Sequence, residues 1–395
     1  MRAWSDRPFG PVAQLAEVAA AGAPIAGENG QSTAVYEIAG HPGWLVKRYK
    51  PGFPEEPPEV LDRLIGLPAA MAPHELAVVD AATCWPVSRV VADGATAGVV
   101  IAKAPDEFSA LVRTPFGPPE RLPLNLDQLV QTDPEFYRAR DLAVPGRPER
   151  LRVARSILRV AAVLERRDVV YGDWSYANLF WERGEGRVFL IDMDGCGLSS
   201  RPWVECNSWN DPAVPQGERL TVHTDRYKVA VAVLRVLTGV RGEDPHPALD
   251  ALAAEMRSGP LGDALRCSLD DAPDLRPSSA ELLELLESEL DARPAQSPPQ
   301  PAPKQPQGPP QPAPTQPQSA PRPAPASPAR AAPPRPAPAA PPAIEHDPFE
   351  RDIASLGAGG LVPAGAERYL VPLIVACLGV LALLLLTGVV SALLS

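Results

Sequence analysis

Apolar and polar residues follow two rhythms along the first 291 residues of this 395-residue chain. Val35-Tyr36-Glu37-Ile38 and Trp44-Leu45-Val46-Lys47 have the composition of two strands, joined by a turn over Gly40 to Gly43. Pro58 to Ile65 carries apolar residues at helical spacing, and Ala97 to Lys103 reads as a buried strand. Further on, Leu151, Ala154, Ile157, Leu158, Ala161 and Leu164 form one apolar stripe, which predicts a helix from Pro148 to Arg166. A strand is expected over Arg187 to Ile191. An apolar helix opens at Thr224 and ends at Thr238-Gly239, and a last helix follows Arg276-Pro277-Ser278.

That rhythm stops near residue 291. Residues 292–345 are almost all Pro, Ala and Gln. Proline lacks the amide donor and fixes φ, so this stretch is expected to be a disordered, extended tether of up to about 3.1 Å per residue. A juxtamembrane segment, 346–368, leads to 369–394, which is almost wholly apolar. From Leu370 to Leu394 no residue is charged. As a helix that run would measure about 37 Å against about 30 Å of hydrocarbon, which predicts a single transmembrane helix. Arg351 and Arg368 lie on its amino-terminal side, so the bulk of the chain is expected on the cytoplasmic face of the cell membrane. Gly388 and Ala392 form a small-xxx-small pair, and a homodimer through this helix is one arrangement it allows.

Composition narrows the partners. A net charge of −11 argues against a nucleic-acid partner, which calls for a basic surface. The five cysteines have no metal-ligand spacing, and their odd number fits reduced thiols in the cytoplasm. Met1 to Pro8 is polar and lacks the apolar core of a signal peptide.

Candidate chemistry concentrates in Tyr171-Gly172-Asp173-Trp174-Ser175-Tyr176-Ala177-Asn178, with Asp192 closing the strand that follows. Phosphoryl transfer needs one carboxylate beside the attacking hydroxyl, and an amide oxygen with a second carboxylate to hold magnesium. Asp173, Asn178 and Asp192 have the types and spacing for those places. Upstream, Gly27 and Gly30 precede the Val46-Lys47 strand, and such glycines let backbone amides approach phosphates. Only five of the 37 basic residues are lysines, which makes Lys47 less arbitrary as a surface cation than an arginine would be.

On these residues the region 20–290 resembles the eukaryotic-type Ser/Thr protein kinases, in particular their divergent bacterial, membrane-anchored members. The resemblance implies an α+β, two-lobed fold within 1–291: a small β-rich lobe over about 20–103 and a larger helical lobe over about 104–291. It implies ATP, with magnesium or manganese, as cofactors. Asp173 would orient the acceptor hydroxyl, Asn178 and Asp192 would ligate the metal, and Lys47 would hold the α- and β-phosphates. Gly27, Gly30 and Ser32 would line the phosphates, and Ile101 and Ala102 would lie at the adenine. Glu59, with Asp62 as second choice, would pair with Lys47. Asp225 would cap the backbone of the catalytic loop, and Arg276 would pair with an acidic residue, either Asp211 or Glu218.

Departures from the family pattern are plain. Tyr171-Gly172 stands where His-Arg is usual, Ser175 replaces a lysine, and Asp192-Met193-Asp194-Gly195 replaces Asp-Phe-Gly, which leaves Asp194 as an alternative metal ligand. Three functions are therefore compatible with these residues. The first is an ATP-dependent protein kinase acting on Ser/Thr hydroxyls of unidentified protein substrates. The second is a weak pseudokinase serving as a nucleotide-binding membrane scaffold, and the third a small-molecule phosphotransferase.

Overall fold

The structure, a computed structural model, describes residues 3–291 apart from 29, 55, 115–116 and 271. The expected tether, juxtamembrane segment and transmembrane helix lie outside the described residues. Among the described residues no helix is long and apolar enough to cross a membrane.

The chain is mixed α/β, with a β-rich amino-terminal sheet and a helical carboxyl-terminal part. Six strands make the sheet: β1 (Val12–Gln14), β2 (Ala20–Ala26), β3 (Ser32–Ile38), β4 (His41–Tyr49), β5 (Pro86–Ala92) and β6 (Ala95–Ala102). Their order is β1-β5-β6-β4-β3-β2. Only the β1–β5 pair is parallel. The expected strand at 35–38 is the half-buried second half of β3, and that at 44–47 is the buried middle of β4. Trp44, Val46, Val87, Val90 and Val100 pack beneath the sheet with Ala13 and Val18. Gly98 of β6 lies against Lys47 of β4 so closely that a Cβ there would sit 2.3 Å from the Lys47 carbonyl oxygen. Glycine at this position lets two backbones approach where any side chain would separate them.

Between β4 and β5 run α1 (Pro58–Gly66) and α2 (Pro73–Ala82). Proline opens both, as its missing amide costs nothing in a first turn. Residues 4–7 clamp this pair. Trp4 donates its backbone N–H to Asp80 Oδ1 (2.7 Å) and its indole N–H to the Ile65 carbonyl (3.1 Å), with the Arg7 guanidinium stacked 3.6 Å over the ring. From the other side the buried Glu75 of α2 accepts from Arg166 and Arg167.

After β6 a two-stranded ribbon, β7 (Ser109–Val112) and β8 (Glu120–Pro123), leads to the short helices α3 (Leu126–Leu129) and α4 (Pro134–Ala139). The helical part is built on α5 (Arg147–Arg166), whose predicted stripe is buried, and on α6 (Val222–Thr238), which packs against it. Between them lie β9 (Val169–Val170), β10 (Leu179–Trp181), β11 (Val188–Leu190) and β12 (Gly197–Leu198). The remaining helices are α7 (His246–Asp250), α8 (Ala254–Arg257), α9 (Pro260–Asp270) and α10 (Ser279–Asp291). Gly239 ends α6 in the left-handed conformation, as the sequence predicts for its stop. The start of α6 differs by one turn from expectation. Thr221 is its N-cap, and Asp225 lies inside the helix, free to reach elsewhere.

Candidate active site

Helix α5 delivers the chain through β9 to the Tyr171–Asp173 turn, and side chains rather than other backbone satisfy that turn. Asp225 accepts the Tyr171 N–H at Oδ2 (2.7 Å) and the Gly172 N–H at Oδ1 (2.8 Å). The Arg201 guanidinium donates to the Tyr171 carbonyl, and Lys228 Nζ donates to the Gly172 carbonyl at 2.7 Å. Buried backbone groups must be paired, and here all four are. Gly172 has φ +68°, and a Cβ there would lie 2.6 Å from Arg201 Cδ and 2.9 Å from Leu220 Cδ1. Burial pushes the Asp225 carboxyl up to about 6, against the pull of the two N–H groups it accepts and of Lys228 and Arg201.

The neighbouring hairpin brings the other two oxygen-bearing residues in. Leu179 of β10 pairs with Leu190 of β11, so Asn178 and Ile191 emerge side by side, joined by an Ile191 N–H to Asn178 carbonyl bond of 3.0 Å. Asn178 Nδ2 donates to the Asp173 carbonyl (3.0 Å), and the Tyr171 hydroxyl donates to the Ile191 carbonyl (2.8 Å). Asp192 follows with φ 57° and ψ 33°, a left-handed conformation that is uncommon outside glycine. Lys47 reaches it from the sheet: its Nζ lies 3.2 Å from Asp192 Oδ1 and 3.0 Å from Asp194 Oδ1. Burial alone would lower the Lys47 pKa, but Asp194 and Asp192 outweigh it and the net shift is upward.

The two carboxylates are not equivalent. The Asp194 side chain is 1% exposed and also accepts from the Tyr49 hydroxyl (2.8 Å), whereas that of Asp192 is 37% exposed. Asp192 is the one with an open face. Asp173 is half-buried; burial pushes its carboxyl up, while the Cys206 thiol and Arg201 draw it down. Cys206 Sγ donates to Asp173 Oδ1 at 3.0 Å, and burial beside that carboxylate keeps the thiol protonated.

Lys47, Asp173, Asn178 and Asp192 are thus brought into one connected arrangement. Glu59 is not part of it. It is exposed in the first turn of α1, and its expected pairing with Lys47 is corrected to Asp194 and Asp192; the second choice, Asp62, pairs with Arg89 at 2.7 Å. First-turn acids satisfy the helix dipole wherever the helix points, so their presence does not identify a partner. Gly27 and Gly30 flank the β2–β3 turn, Gly30 with φ +31°, and Ser32 is buried at the start of β3. Ile101 is buried and Ala102 half-buried at the end of β6, opposite Leu45 and Trp44.

Of the two candidates for Arg276, the structure selects Asp211, in a fully buried bidentate pair (Nη2 to Oδ1 2.9 Å). Four contributors were not read from the sequence: Tyr49, Arg201, Cys206 and Lys228. For Lys228 a signal existed in the scarcity of lysine, the same that singles out Lys47. For the other three no pattern in the chain marks them.

Asn178 and Asp192 suit magnesium in donor type, since both offer hard oxygens. With its Nδ2 engaged on Asp173, Asn178 leaves its amide oxygen for a cation. Among the described residues no cluster of three or more His, Cys, Asp or Glu could hold a metal by itself. A cation here would therefore take its further ligands from phosphate and water, as magnesium does. No family model matches this chain, and no curated protein matches it.

Proposed function

We propose that the chain is a two-lobed, protein-kinase-like phosphotransferase that uses ATP and magnesium to phosphorylate Ser or Thr hydroxyls of proteins, held at the cytoplasmic face of a membrane by residues 369–394. The observation that carries this reading is the meeting of Lys47, from the sheet, with Asp192, from the helical part, beside Asn178 and Asp173. A cation, an amide oxygen and two carboxylates so arranged answer the needs of phosphoryl transfer, which is mostly positioning and charge neutralisation. The sheet order, with the lysine strand β4 at its centre between the β2–β3 hairpin and the β5–β6 hairpin, agrees with that reading.

In this mechanism Asp173 would accept the hydrogen bond of the incoming hydroxyl and align it, taking up its proton as the oxygen bonds to the γ-phosphorus of ATP and the bond from that phosphorus to the bridging oxygen breaks, with ADP as the leaving group. Its partner Cys206 must share Oδ1 or leave Oδ2 to the acceptor. Lys47 would hold the phosphates, with its ammonium kept in place by Asp194, which the Tyr49 hydroxyl in turn fixes. Asn178 and Asp192 would hold magnesium, which supplies charge neutralisation on the phosphate oxygens.

The test is transfer of labelled γ-phosphate by the full-length chain with magnesium or manganese. Label should enter the protein itself or a generic protein acceptor, and fall about a hundredfold or more in Asp173→Asn and in Lys47→Met. Nucleotide binding without transfer under either metal would replace this reading with that of a scaffold. Label found only on a small alcohol or amine would replace it with a small-molecule phosphotransferase.

A further inference from the structure

Lys228 is buried on α6, 1% exposed, in a chain that otherwise uses arginine for nearly all its cations. It lies one turn after Asp225, so the two side chains leave the same face of the helix. Its ammonium donates to the Gly172 carbonyl at 2.7 Å. That oxygen belongs to the peptide unit whose nitrogen is that of Asp173, and the unit is planar, so fixing the oxygen fixes the approach to the Asp173 Cα. Gly172, at φ +68°, is the one residue of the turn whose backbone has freedom to turn this plane over. On the far side of Asp173, Asn178 Nδ2 holds the next carbonyl at 3.0 Å.

We propose that Lys228 is a positioning residue that prevents the Gly172–Asp173 peptide from flipping, so that Lys228 and Asn178 lock the planes before and after the hydroxyl-orienting carboxylate. The role of the lock in catalysis rests on the reading of Asp173 given above; the lock itself does not. A buried ammonium is costly to desolvate, and a hydrogen-bonded carbonyl with carboxylates nearby is the setting that tolerates it. Asp225 and Asp173 both feel its charge. With Ser175 in the catalytic loop, the loop itself brings no lysine, and this cation reaches the turn from behind, out of contact with solvent.

The experiment compares full-length wild type with Lys228→Met and Lys228→Gln by hydrogen exchange and by steady-state kinetics. Amides in the 169–178 peptide should exchange at least tenfold faster in Lys228→Met, with α5 and α6 as protected as in wild type. The kcat for transfer should fall ten- to a hundredfold while KM for ATP stays within twofold. A variant with wild-type protection in 169–178 and wild-type kcat overturns the proposal. So does loss of protection throughout α5 and α6 in both variants, which would make Lys228 a stability residue only. If the wild type transfers no phosphate to any acceptor, the kinase reading fails by itself, and exchange in 169–178 alone decides the lock.

Discussion

The two glycine-bearing turns of the candidate site are built in opposite ways. The turn at Gly172 has both its N–H groups and both its carbonyls tied to buried side chains of Asp225, Arg201 and Lys228. The turn between β2 and β3, with Gly27 and Gly30, lies on an edge hairpin, and its links among the described residues include a Lys50–Glu28 pair (3.0 Å) and a backbone bond from the Lys50 N–H to the Gln31 carbonyl. Rigidity is concentrated at Gly172. On the proposed reading, the carboxylate that would meet a hydroxyl is fixed before any ligand arrives, while the segment that would close over phosphates has fewer ties among the described residues.

Removing Asp225 attacks the rigid side hardest. Asp225→Ala strands two buried N–H groups and deprives Lys228 and Arg201 of a counter-charge, so a loss of about 3–5 kcal/mol is expected in chemical denaturation. A variant within about 1 kcal/mol of wild type would mean that the turn is held by other means.

One substitution made at both turns sharpens the contrast. Gly172→Ala introduces a Cβ into Arg201 and Leu220 at positive φ and should cost about 3 kcal/mol. Gly30→Ala meets no atom within 4 Å and should cost about 1 kcal/mol, from its φ alone. Equal melting shifts for the two would erase the distinction.

A smaller effect comes from the clamp on α2. Arg167 foremost, with the Ala72 N–H, holds the buried Glu75 carboxyl down to about 2, below its ordinary 4.5. Because the folded-state value is the lower one, the carboxylate's stabilisation is present above pH 4.5 and is lost as pH falls towards 2. Glu75→Gln should cost about 1–2 kcal/mol at neutral pH and flatten the acid limb of a stability–pH curve. An unchanged limb would show that the pair contributes nothing there.

The Asp173–Asn178–Asp192 spacing was legible in the chain because it is local: a loop, a hairpin and their register suffice to join the three. So were the long elements α5, α6 and β4, whose apolar runs leave little choice of face. Partners across long distances were not legible. Nothing in the pattern tells that Lys47 meets Asp194, which lies 147 positions away, rather than a first-turn acid such as Glu59. Likewise Asp211 and Glu218 were equivalent as letters, and only packing makes Asp211 the buried partner of Arg276. The β7–β8 ribbon, α2 and the three-residue strand β1 are too short or too Pro- and Ala-rich for periodicity to declare them.

The β1 strand and Trp4 also set a practical limit on trimming the molecule. A fragment begun at residue 20, where the lysine-bearing half of the sheet starts, would bare the β5 edge and release the indole that fastens Ile65 and Asp80. Such a fragment should precipitate or melt well below one begun at residue 3, even though every residue of the candidate site remains in it.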